Sequence, residues 1–206
     1  MAQVKKPKLQ QAIVSASFSL FSERGYHNTT IAQIAKQAKV STANVYNYFP
    51  SKMHILYAIY EPWLLGRLDQ LEQTLAGVKS PRKKVYTILH TLWCEIPADD
   101  NAFANNFIQA IATTEPSEGY RPDLLRATLD RVVSMLMAAL PNGRGSRQSF
   151  TRVANVIMMA FDGYVIGRHL NPRRHCDHGT IDLFTDWLVA ALSKSDLKSR
   201  TAQSDK

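Results

Sequence analysis

Residues 41–52 read STANVYNYFPSK, from Ser41 to Lys52, about two helical turns stopped by Pro50. A helix that short is marginal in water, so packing must hold it and its polar face needs a reason. At roughly 100° per residue, Val45 and Phe49 fall one turn apart and mark a buried side. Asn47 then points away from them, with Ala43 one turn earlier, Asn44 beside it, and Tyr46 and Tyr48 on the flanks. Ser41 or Thr42 is positioned to cap the helix. An amide next to a small side chain, bracketed by hydroxyl-tipped rings, suits a surface pressed onto a grooved polyanion. Asparagine can bond adenine bidentately, alanine can meet a thymine methyl, and tyrosine hydroxyls can reach phosphates. The competing reading packs the tyrosines between helices and leaves the asparagines solvated.

Upstream, Leu9, Ile13, Ala16 and Leu20 form one buried stripe that ends at Gly25, a residue suited to the left-handed position after a helix. Thr30 can cap a second helix carrying Ile31, Ile34, Ala35 and Ala38 on one face. Lys39–Ser41 is then a tight connection into the short helix. Three helices in the first quarter of the chain, the last two joined by so few residues, is helix-turn-helix organisation.

Charge singles out the same region. Residues 1–52 hold seven Lys or Arg and one acid, Glu23, whereas the remainder holds eighteen against sixteen. A basic head on a nearly neutral body suggests a polyanionic partner, with a solubilising surface as the alternative. Lys5, Lys6 and Lys8 are candidates for an arm along that partner or for a solubilising tail.

The rest of the chain is helical in pattern, with no alternating strand. The spacing predicts a long helix from Ser51 to about Leu75, another over 82–96 closed by Pro97, and one bearing Phe103, Phe107, Ala110 and Ile111 that Asp99 or Asp100 would cap. Pro122 suits the first turn of the next. Two more follow, over about 146–169 and 181–194. The fold class is therefore all-α, about nine helices, with a helix-turn-helix domain at 1–52 and a larger helical domain at 53–206.

The stretch Gly25–Leu56 resembles the DNA-binding head of the TetR family of bacterial transcriptional regulators. The matching residues are Gly25-Tyr26, Thr29-Thr30, Ile34-Ala35, Ala38, Val40-Ser41, Tyr46, Tyr48-Phe49, Lys52 and Leu56. Beyond about residue 60 the resemblance is only of helical layout. Position by position it implies that Thr30, Tyr48 and Lys52 hold phosphates, and that Thr42, Ala43, Asn44, Tyr46 and Asn47 enter the major groove. It also implies a homodimer on a pseudo-palindromic operator, built through the last two long helices.

In the body, Val156, Ala160, Gly163 and Gly167 form a stripe of small residues that would let a second helix approach closely, paired with Phe184, Trp187 and Leu188. Packing inside one subunit is the alternative. The helix over 82–96 carries a main apolar stripe and a second one of Tyr86, His90 and Trp93, so it must be central. Polar-tipped aromatics on an inner helix suit a ligand cavity, with Trp63, Phe103, Phe107, Phe161 and Tyr164 as further wall. Plain core is the competing role for each of them. Phe18 points off its own helix's stripe and is free to dock head against body.

Other chemistry is not indicated. The RRHCDH loop, Arg173–His178, lacks known zinc spacing and reads as an exposed loop. No nucleophile elbow, phosphate loop or dinucleotide pattern is present, so no enzyme activity, metal or cofactor is expected. Cys94 and Cys176 form no framework. With no signal peptide and no span of roughly 20 apolar residues, a cytoplasmic protein with reduced thiols and no membrane partner is expected. The expected function is a repressor released from palindromic double-stranded DNA by a small-molecule effector. The alternative is a helical-bundle enzyme or small-molecule carrier with an incidental basic head.

Overall fold

The structure, a computed structural model, describes residues 7–98, 103–113, 121–141, 145–171 and 176–192. Within these residues the chain forms nine helices and no strand. The head is α1 (Pro7–Arg24), α2 (Ile31–Gln37) and α3 (Thr42–Tyr48). The body follows as α4 (Lys52–Ala76), α5 (Pro81–His90), α6 (Phe103–Thr113), α7 (Pro122–Ala139), α8 (Arg147–Leu170) and α9 (His178–Leu192). Past His90, α5 runs on through a π-helical segment, Thr91–Glu95, and a last α turn, Ile96–Ala98.

Local chemistry sets these bounds. Gly25 takes a φ of 79° and its N–H donates to the Phe21 carbonyl at 3.0 Å, ending α1. Thr30 caps α2 in a complete capping box: its hydroxyl accepts from the Gln33 N–H at 3.3 Å and Gln33 Oε1 accepts from the Thr30 N–H at 2.8 Å. Lys39 turns the chain between α2 and α3 with a φ of 56°, a conformation rare for a side-chain-bearing residue. Ser41, Ser51, Ser80 and Ser146 cap α3, α4, α5 and α8.

Three expectations need correction. Pro97 does not close α5, because the helix carries on through it to Ala98. The helix over 82–96 is not regular either. The π segment inserts an extra residue, and the sequence neighbours Leu92 and Trp93 are both buried. Finally, Cys94 and Cys176 are not separate thiols. They are joined by a disulfide with Cα atoms 5.5 Å apart, 82 residues distant in sequence. The packing of α9 on α5 brings them together. Arg82 bridges Asp182 and Asp186 of α9 at 2.8 and 2.7 Å, and the Tyr86 hydroxyl lies 2.9 Å from His178 Nδ1.

The last helix begins at His178 rather than Ile181. The Asp177 carboxylate accepts from the Gly179 N–H at 3.0 Å and from the Thr180 hydroxyl, which supplies the start. Asp99, Asp100, Lys5, Lys6 and residues 173–175 lie outside the described residues. One hydrophobic core runs from Ile13 and Phe21 in the head through α4 to Val132, Leu136 and Ile181 in the body.

Candidate nucleic-acid interface and effector cavity

The short helix has the orientation its spacing predicts. Val45 and Phe49 are buried against the head core, while Thr42, Ala43, Tyr46 and Asn47 are exposed; Asn44 and Tyr48 are half-buried. Ser41 Oγ accepts from the Asn44 N–H at 3.1 Å, which fixes the first turn. Tyr48 packs partly against the core, so its ring braces the helix. Thr30 is exposed, and its hydroxyl also donates to Gln33 Oε1 at 3.2 Å.

Lys52 has an internal role that its spacing did not suggest. Its ammonium donates to the Tyr26 carbonyl at 2.7 Å and the Thr29 carbonyl at 3.0 Å, and lies 4.1 Å from the centre of the Tyr26 ring. Burial holds its pKa below the usual lysine range. The residue therefore clasps the start of α4 to the loop between α1 and α2. The same loop is anchored by Thr29, fully buried, whose hydroxyl donates to the Gly25 carbonyl at 2.9 Å.

The body contains a cavity of about 640 Å³ between α4, α5, α6, α7 and α8. Its floor is Tyr60, Leu64, Leu92, Ile96, Phe107 and Phe161, all buried. Exposed Arg126, Asn155 and Asp162 stand at the mouth. The Tyr60 ring stacks on Phe107 at 3.9 Å, and its phenol is driven well above the usual tyrosine range by burial, with Asp162 and Tyr57 adding repulsion. Asp162 reaches solvent yet is desolvated on its cavity side, which raises its carboxyl pKa.

Of the eight aromatic and histidine residues expected to line one cavity, only Phe107 and Phe161 line this one. His90, Trp93 and Tyr164 line a separate cavity of about 270 Å³ beside the disulfide. Trp93 also donates from Nε1 to the Ile157 carbonyl at 3.0 Å, a core role. Trp63, Tyr86 and Phe103 line neither. Trp63 and Phe103 meet edge to face at 5.5 Å, and Tyr86 is spent on His178. The leucines and isoleucines of the floor gave no separable signal, because a cavity wall and a core share one composition.

Helix α6 carries both jobs. Phe107, Ile108, Ile111 and Ala112 face the large cavity. On another side, Phe103 meets Phe18 of α1 edge to face at 4.9 Å, so Phe18 docks as its off-stripe position suggested. Buried Asn106 donates from Nδ2 to the Phe21 carbonyl at 3.0 Å and accepts from the Tyr26 N–H at 2.8 Å. The Thr113 hydroxyl lies 3.4 Å from His27 Nε2. Asn106 was missed by sequence reasoning, since a lone asparagine in an apolar helix has no pattern around it.

The surface expected to pair subunits is partly exposed. Val156, Gly163 and Trp187 face solvent, and a Cβ added at Gly163 would meet nothing within 4 Å. Met159, Ile166 and Leu170 extend the α8 face, and Leu183 the α9 face. Ala160 and Leu188 are half-buried. Gly167 and Phe184 also make contacts within the subunit. Gly167 is buried within the subunit, and Phe184 turns onto Trp93 edge to face at 5.3 Å.

Among the described residues no group of three His, Cys, Asp or Glu is placed to hold a metal, and no helix is long and apolar enough to cross a membrane.

Comparison with known proteins follows the same division. Residues 13–59 match the family described as "Bacterial regulatory proteins, tetR family". The HTH-type transcriptional regulator HbdR of Aromatoleum sp. (strain CIB) is 38% identical over 94 residues, which span 44% of this chain and 40% of that protein. The match thus reaches less than half of HbdR. The HTH-type transcriptional regulator BetI of Brucella anthropi is 26% identical over 191 residues, 91% of this chain and 95% of BetI. Among solved structures, the transcriptional regulator FadR from Bacillus subtilis in complex with stearoyl-CoA superposes with a TM-score of 0.61 at 17% identity, covering 88% of this chain and 98% of that one. At that identity the likeness is one of fold.

Proposed function

The chain belongs to the TetR family of bacterial transcriptional regulators, and from that premise we propose that it is a dimeric repressor released from a pseudo-palindromic operator by a small-molecule effector. The observation that carries the DNA-binding half is the outward face of α3. Ala43 and Asn47 are exposed directly above buried Val45 and Phe49, in a head that holds most of the chain's net positive charge. In this reading residues 1–52 read DNA and 53–206 bind effector and partner. Asn47 and Asn44 contact base edges, Ala43, Thr42 and Tyr46 line the groove, and Thr30 and Tyr48 reach the backbone. Lys52 orients the head from within.

The effector half rests on the cavity. Its apolar floor and the polar residues Arg126, Asn155 and Asp162 suit an apolar molecule with one polar end. Release then requires that the effector bind more tightly to the arrangement of heads that misfits the operator. The exposed apolar residues of α8 and α9 supply a dimer face, and a patch of that kind on a monomer marks an interaction site. The matched family is one of transcriptional regulators, which sets the enzyme alternative aside.

The test is retardation of DNA taken from upstream of the protein's own gene, across a salt series. Specific binding should fall steeply as salt rises, because phosphate contacts release counterions. Retention that ignores both sequence and salt would overturn the reading.

A further inference from the structure

The disulfide is the one feature that the regulator reading does not use, and it conflicts with that reading's setting. A DNA regulator works among reducing thiols, where lasting disulfides are rare and those that form are usually transient or redox-sensing. Cys94 and Cys176 are nevertheless held with Cα atoms 5.5 Å apart, well inside bonding range. Neither is sealed in the core. Both are half-buried, and both line the 270 Å³ cavity together with His90, Glu95 and Arg168. That space admits a small oxidant or a small thiol. Groups of both charge signs, Arg168 and Glu95, thus share the lining with the two sulfurs. His90 is in turn oriented by Glu95, whose Oε1 lies 3.1 Å from His90 Nδ1, and by the stacked ring of His178 at 5.4 Å.

We propose that Cys94 and Cys176, with the small cavity between them, form a reversible dithiol site that takes hydroperoxides as oxidant and low-molecular-weight thiols as reductant. In the forward step one thiolate attacks the peroxide's outer oxygen, breaking the O–O bond. An alcohol or water leaves with the thiol's proton, and the cysteine becomes a sulfenic acid. The second thiol then attacks that sulfur, the S–S bond forms and water leaves. In sum, two thiols and one hydroperoxide give one disulfide, one alcohol and one water. The reverse proceeds by exchange: a thiolate attacks one sulfur to form a mixed disulfide, and a second thiolate releases it, leaving two thiols and the oxidised small disulfide.

Position makes the bond consequential. Cys94 sits in the π segment, where Leu92 and then Ile96 one turn on line the effector cavity. Cys176 stands two residues before α9, which carries exposed Leu183 and Trp187. Closing the bond therefore ties the effector cavity's wall to the start of the proposed dimer helix. This last step rests on the repressor reading; the thiol chemistry does not.

The experiment uses the purified full chain, reduced with dithiothreitol and desalted without oxygen. Thiols counted by maleimide labelling and intact mass should number two. Near-stoichiometric hydrogen peroxide should bring them to none with the loss of two hydrogens, and millimolar reduced glutathione should restore both. Cys94→Ser should instead trap a single oxidised or glutathionylated Cys176. DNA retardation should differ at least fivefold between the two redox forms of the native chain and not at all in the double Cys94→Ser, Cys176→Ser variant. A bond that glutathione cannot open, or thiols that peroxide cannot close, overturns the site. Equal DNA affinity in both forms overturns its regulatory role. Absence of DNA binding in either form would sink the repressor reading instead, while the thiol counts still decide the site.

Discussion

Asn106 is where head and body are joined by named atoms, and replacing it by alanine tests that joint. Its carboxamide is buried, donating to the Phe21 carbonyl at 3.0 Å and accepting from the Tyr26 N–H at 2.8 Å. The two losses differ. The Phe21 carbonyl keeps the Gly25 N–H at 3.0 Å, so only a net hydrogen bond of about 0.5–1.5 kcal/mol disappears there. The Tyr26 N–H loses the acceptor that answered it in a buried place, which costs roughly 1–3 kcal/mol. The expected sum is about 1.5–4.5 kcal/mol, or a fall in thermal midpoint on the order of 3–18 °C for a chain of this size. Calorimetry or circular dichroism measures it. Asn106→Leu separates bonding from packing, since it refills most of the volume but leaves the Tyr26 N–H unanswered. If Asn106→Leu recovers nearly native stability, the loss in Asn106→Ala was a cavity effect and the clasp argument fails. The clasp also predicts a functional split: DNA binding should persist at lower temperature, while its response to effector weakens.

Asn47→Ala should relax base preference at about one position per half-site at a cost of roughly 1–3 kcal/mol, read by retardation on a set of single-base variants; equal loss on every variant would show that Asn47 does not read sequence. Lys52→Ala should lower the thermal midpoint as well as DNA affinity, because it breaks two hydrogen bonds to carbonyls and not only a distant charge contact. An unchanged midpoint would return Lys52 to a purely surface role. Trp187→Asp should shift the chain from dimer to monomer in sedimentation at micromolar concentration without unfolding it, since the side chain is 58% exposed in the single subunit. A dimer that survives points to a different interface. Asp162→Asn should raise the thermal midpoint at pH 7 and leave it little changed near pH 3. The folded-state carboxyl pKa lies above its unfolded value, so the native state favours the protonated form and loses stability as pH rises through that window.

The head was legible because its rules are local. Gly25, Thr30, Ser41 and the Val45–Phe49 pair each act within one turn of themselves, through a left-handed φ, a capping hydroxyl or a buried side, and each stands where its chemistry predicts. The body was legible only as a number of helices. Helical period cannot distinguish Leu92, on a cavity wall, from Leu89, in solid core, since both are apolar residues on one central helix. The π segment compounded this by moving Trp93 into the interior, where a regular helix would have kept it on the second stripe with Tyr86. Cys94 and Cys176 were illegible for another reason. Their meeting depends on how α9 docks on α5, and nothing within several residues of either cysteine encodes that.

The same contrast bears on how a ligand signal would travel. Helix α4 is the obvious lever from sequence, because it leaves the head and enters the body without a break, Pro62 included. Helix α6 offers a second route, because it has two distinct faces, one of them cavity wall and the other gripping α1 through Phe103, Asn106 and Thr113. In the proposed repressor, an effector pressing on Phe107 or Ile111 would shift α6 and Asn106 with it, and Asn106 holds the Phe21 carbonyl and Tyr26 N–H around the turn that ends α1. Because Lys52 grips the Tyr26 carbonyl from α4, that one turn receives both helices. On the proposed repressor reading, a difference between the displacements of α4 and α6 would become a rotation of the head, and operator affinity would fall as that rotation carried the two α3 helices out of register with successive major grooves.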